Sequence, residues 1–71
     1  MNWDVIEGNW KQYMGQVKAQ WGKLTQDQVE VIAGRREQLA GRIQEAYGVD
    51  QIEVERQIKA FQKYLKDSAP Q

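Results

Sequence analysis

Histidine and cysteine are both absent from this chain, which removes the side chains that most often serve as neutral-pH acid, base, nucleophile or zinc ligand. The remaining carboxylates do not make up for them. Glu53 and Glu55 stand two apart, so on a helix they point about 200° away from each other and cannot flank one scissile bond. Near a helix start they serve its dipole instead. Nothing has the dense oxygen-ligand spacing of a calcium loop, and the six glycines fall in two sets of three spaced seven apart rather than in the cluster of a phosphate-binding turn. The residue types point away from catalysis, and neither cofactor nor metal is expected.

Binding chemistry is better represented. Between Gly8 and Leu24 the only charges are Lys11, Lys18 and Lys23, interleaved with Trp10, Tyr13 and Trp21. Bases alternating with aromatics can hold a single-stranded nucleic acid by stacking in a cationic groove. The same aromatics, however, occupy the face a core requires, and an indole that fills a core is not available to a base. Nucleic acid is therefore the alternative, not the leading partner. Arg36 places a charge at the helical phase that Trp10 holds in the preceding segment, on a face otherwise apolar. It reads either as a polar anchor for a partner, together with Arg35 and Arg42, or as a stem laid on the core with its head at the rim or paired with an acid. An amphipathic helix lying on lipid is disfavoured by the mixture of lysine and glutamate on the polar faces.

These residues need helices to position them, and the glycines show how the helices are arranged. Gly8, Gly15 and Gly22 repeat as Gly34, Gly41 and Gly48, displaced by 26 residues, so GNWKQYMGQVKAQWG aligns with GRREQLAGRIQEAYG. Three start signals recur in which a short polar residue precedes an acid or amide by three positions: Asp4 with Glu7, Thr25 with Gln28, and Asp50 with Glu53. Leu24 with Val29, and Val49 with Val54, can add hydrophobic staples. Gly22 and Gly48 each follow an aromatic residue where a left-handed cap favours glycine.

Helices are expected over 4–21, 25–47 and 51–66, the middle one bending at Gly34. Their apolar faces are Trp3, Ile6, Trp10, Tyr13, Met14, Val17 and Trp21; Val29, Ile32, Leu39, Ile43 and Tyr47; and Val54, Ile58, Phe61 and Leu65. The expected fold is all-α, a small bundle of three to four helices with the internal 26-residue repeat. A full break at Gly34 would make it two packed helical hairpins. Gly8, Gly15, Gly34 and Gly41 fall about 140° to 160° from the apolar face, where each costs on the order of 1 kcal/mol relative to alanine. Two explanations stand: helices tolerant of glycine, or a smooth strip for close approach of a partner.

Seventy-one residues allow one domain with a thin core, spanning 1–71 with residues 67–71 as a frayed tail. Ten basic and ten acidic side chains cancel, against the global positive field of a DNA coater. No apolar run approaches the ~20 residues of a membrane span, and the N-terminus lacks a signal-peptide layout; a cytoplasmic protein is expected.

The string GNWKQYMGQVKAQWGKLT, followed by IAGRREQLAGRIQEAYG, resembles the CsbD family of small bacterial stress-response proteins, nearly over the whole chain up to Gly48. The resemblance implies a compact helical domain that accumulates in the cytoplasm under general stress, with no established activity or cofactor and no catalytic residues to carry over. The turn that is often acidic in the family reads Thr25, Gln26, Asp27, Gln28, and Met14 and Ala19 replace more usual charged types. The expected function is non-enzymatic, binding or protecting an unknown protein partner through Lys11, Gly15, Lys18, Arg35, Arg36, Gly41 and Arg42. A nucleic-acid binder and a hydrophilic desiccation protectant are the alternatives, and the oligomeric state is left open.

Overall fold

The structure, a computed structural model, describes residues 3–68, with side chains as far as Leu65. Among the described residues five helices follow one another: α1 (Trp3–Gly8), α2 (Trp10–Gln20), α3 (Gln26–Ile32), α4 (Arg36–Tyr47) and α5 (Gln51–Ser68). Each packs on the next, α1 on α2 through to α4 on α5. The count exceeds the expected three to four because two of the expected helices divide.

The first division falls at Asn9. Its N–H is shared between the carbonyls of Val5 and Ile6 at 3.1 and 3.2 Å, and its Nδ2 donates to the Val5 carbonyl at 2.9 Å. An asparagine that supplies the backbone with local partners competes with the helical ladder, and Gly8 just before it weakens that ladder further. The Asn9 carbonyl then accepts from the Gln12 N–H at 2.9 Å, opening α2.

The second division falls where a bend was expected, and it is a complete break. Ala33 and Gly34 both take left-handed conformations, φ 51° and 81°. The Ala33 N–H turns to the Glu30 carbonyl and the Arg35 N–H to the Ile32 carbonyl, so α3 stops and α4 restarts at Arg36. Gly34 is buried here and is not one of the outward-facing glycines. The Trp3 indole N–H donates to its carbonyl, so α1 lies on this turn.

The left-handed cap expected at both aromatic-glycine pairs is present at Gly48 only, where φ is 65° and the N–H donates to the Gln44 carbonyl at 2.9 Å. Gly22 does not adopt it. The chain turns through Trp21 itself, φ −123° and ψ 76°, because that ring is drawn into the core, edge-on to Phe61 with centroids 4.9 Å apart. A left-handed glycine is unnecessary when the residue before it has already left the helix.

Thr25 forms the full capping box: its Oγ1 accepts from the Gln28 N–H and Gln28 Oε1 accepts from the Thr25 N–H. Asp50 accepts from the Glu53 N–H at 2.8 Å, but the Glu53 carboxylate faces Arg56 and Gln57, leaving that box half closed. Asp4 is no cap, since it lies inside α1. At the other end α5 continues through Asp67 and Ser68, two positions of the expected tail, while residues 69–71 lie outside the described residues.

The predicted apolar faces all turn inward. Ile6, Trp10, Val17, Trp21, Val29, Ile32, Leu39, Ile43, Val54, Ile58, Phe61 and Leu65 are buried together with Leu24, while Trp3, Tyr13, Met14, Tyr47 and Val49 pack around them half-buried.

Candidate interaction surface

The core is fastened by polar groups that all find partners; no buried side-chain nitrogen or oxygen among the described residues lacks one. The tryptophans act as cross-links. Trp10 Nε1 donates to the Val29 carbonyl at 2.9 Å, an acceptor that the Ala33 N–H would take in a continuing helix but leaves when it turns to Glu30. Trp21 Nε1 donates to Gln57 Oε1 at 2.9 Å, tying the end of α2 to α5. Neither ring is free to stack on a base.

Arg36, expected either as a partner anchor or as an internally paired side chain, is paired. Its guanidinium meets both oxygens of the Glu55 carboxylate, at 2.6 and 3.0 Å, and so bolts α4 to α5. Bidentate geometry makes this stronger than a single surface contact. The hydrogen bond to Arg36 is the main reason the Glu55 carboxyl is held below the usual carboxylate range, and the same bond raises Arg36 further. Glu55 is therefore more than an acid placed to suit a helix dipole. Glu53 is lowered as well, first by its bond with Arg56 and then by Gln57. Lys23 is also engaged: its backbone N–H donates to the Tyr47 hydroxyl at 3.0 Å and its Nζ sits 5.1 Å from the centre of that ring.

The remaining candidate residues divide between two outward helix faces, on α2 and α4, and the turn that leads from α3 into α4. On α2, Lys11, Gly15 and Lys18 are exposed at i, i+4 and i+7, one continuous face. On α4, Gly41 is exposed and Arg42 half-buried, Arg42 standing 3.6 Å from Glu45. Arg35 is exposed at the start of α4 and makes no side-chain cap there. A Cβ added at Gly15 or Gly41 would meet nothing within 4 Å, and the same is true at Gly8. These glycines are spent on open space rather than on packing within the fold.

The face of α4 carries two residues absent from the sequence-derived set. Glu37 and Glu45 flank Gly41 by one turn on either side and are exposed; with Gln38 and Arg42 they line a shallow depression of about 410 Å³ over the glycine. The spacing of four residues on each side of Gly41 was the signal for them. No group of three or more His, Cys, Asp or Glu among the described residues is arranged to hold a metal, and no described helix is long and apolar enough to cross a membrane.

A family profile described as CsbD-like matches residues 4–56 of the chain. A UPF0337 protein of Pectobacterium atrosepticum is 50% identical over 66 residues, which cover 93% of this chain and 96% of that relative. The UPF0337 protein YjbJ of Escherichia coli K12 is 52% identical over 58 residues, covering 82% of this chain and 84% of that relative. No solved structure matches. The profile stops at Arg56, so the buried Ile58, Phe61 and Leu65 of α5 lie beyond the matched segment.

Proposed function

The chain belongs to the CsbD-like family, whose members are in general stress-response proteins of unknown molecular function, and we propose that it works without catalysis, by docking a macromolecular partner on the outward faces of α2 and α4. One observation carries this reading. Gly15 and Gly41 sit in helix interiors with open space above them, each forgoing on the order of 1 kcal/mol that alanine would supply. The core beneath them is filled with large aliphatic and aromatic side chains, so the sequence is not indifferent to stability elsewhere. Glycine at an outward position lets a second backbone come close. The 26-residue sequence repeat, with α2 and α4 starting 26 residues apart at Trp10 and Arg36, supports reading the two faces as copies of one helical unit.

Photo-reactive side chains placed on α2 at Gln12 and on α4 at Gln38, compared with one at Lys63 on α5, test the reading in stressed cells. Discrete adducts from the first two and not from the third are expected. Equal, diffuse labelling from all three positions would reject it.

A further inference from the structure

The two outward faces carry opposite charge at similar spacing about a glycine, with Arg42 half-buried beside Gly41 and paired to Glu45 on the α4 face. On α2 the order is base, glycine, base: Lys11, Gly15, Lys18. On α4 it is acid, glycine, acid: Glu37, Gly41, Glu45. At 1.5 Å per residue the lysines stand about 6 and 4.5 Å along the axis from Gly15, and the glutamates about 6 Å from Gly41 on each side. When the two helices meet at their glycines, each lysine falls within reach of a glutamate.

We propose that the occupant of these faces is a second copy of this chain, the α2 face of one molecule seated on the α4 face of another. This rests on the docking reading above and names its partner. Three observations converge on self-pairing. No acid occurs between Gly8 and Leu24, so the α2 face has no internal counter-charge of its own. Glu37 makes no ion pair among the described residues, and Glu45 is 73% exposed and only 3.6 Å from Arg42, a surface contact that is easily exchanged. The depression over Gly41, lined by those two acids with Gln38 and Arg42, leaves room for the Gly15 backbone, the lysine stems lying along its edges with their ammonium groups at the rim. Complementary charge sets the register and the partner more than it sets the raw affinity, and the contact weakens as salt screens it.

The experiment is sedimentation of the purified full chain over a wide concentration range at low and high salt, for four samples. The wild-type chain associates at low salt and dissociates as salt rises. A chain carrying Lys11→Glu and Lys18→Glu, and one carrying Glu37→Lys and Glu45→Lys, each lose association by at least about tenfold. Mixed in equal amounts, the two regain it, because each supplies the face the other now needs. Helical circular dichroism confirms that each variant is folded, and the milder Lys11→Gln, Lys18→Gln chain gives an intermediate loss should the reversal unfold. A wild-type chain that stays monomeric at every concentration, or a mixture that fails to recover, overturns self-pairing. If at the same time α2 and α4 still give discrete adducts with another macromolecule in cells, the docking reading survives and only its occupant changes.

Discussion

Gly34 lies against Glu7 so closely that a Cβ on Gly34 would stand 2.7 Å from the Glu7 Cα and 3.0 Å from its Cγ. The contact joins α1 to the break between α3 and α4, two segments 27 positions apart in the chain. Gly34 also has φ 81°, a conformation costly to any residue with a Cβ.

Gly34→Ala is therefore expected to destabilise the domain by about 2 kcal/mol or more, since strain of about 1–3 kcal/mol at the backbone adds to overpacking against a main-chain atom. Urea unfolding followed by tryptophan fluorescence measures it. A loss below half of that would mean α1 is not docked on this turn.

Gly15→Ala and Gly41→Ala have the opposite sign. Both positions are helical with nothing within 4 Å of an added Cβ, so each substitution is expected to stabilise the domain by a few tenths to about 1 kcal/mol. The same unfolding experiment reads the change. Destabilisation at either site in the dilute, high-salt monomer would show a backbone packed there within the fold, against the open faces described above.

The contrast between these glycines marks what the sequence made legible. Heptad spacing placed all six on one pattern, yet Gly34 is a buried turn, Gly48 a left-handed cap, and Gly15 and Gly41 are open surface. Period alone cannot separate them, because the distinction depends on which segment packs above each one. Apolar periodicity carried further: every buried apolar side chain but Leu24 lies on one of the three predicted faces, while Trp3, Tyr13, Met14 and Tyr47 of those faces are half-buried. The break at Asn9 was missed because the spacing from Ile6 to Trp10 suits an unbroken helix. The competing bond from the Asn9 side chain to Val5 has no signature beyond the residue type. The Arg36–Glu55 pair was half legible, since a lone charge on an apolar face asks for an acid but does not say which.

Trp10→Phe tests the cross-link to α3. The indole N–H is the donor to the Val29 carbonyl, and Trp10 is only 8% exposed, so phenylalanine leaves a carbonyl without its partner and removes ring volume. A loss of about 1–3 kcal/mol from the unsatisfied acceptor alone is expected. Amide exchange of α3 should quicken in parallel; unchanged exchange there would mean the bond does not hold α3 in place.

Acid should weaken the fold through the α4–α5 bolt. Glu55 is held below its ordinary pKa first by its hydrogen bond to Arg36, with burial opposing, and Glu53 by its bond to Arg56. A carboxyl lowered in the folded state binds its proton more readily once unfolded, so its contribution is complete above the unfolded value and is lost as pH falls through the folded one. Stability attributable to these groups should accordingly be flat near neutrality and decline from about pH 4.3 downward. Arg36 stays charged throughout and adds no slope of its own. Glu55→Gln lowers the neutral-pH urea midpoint and flattens the acid limb, so the two curves converge toward low pH. Parallel curves with an undiminished acid slope would place the acid sensitivity in other carboxylates and reduce the Arg36–Glu55 pair to a surface contact.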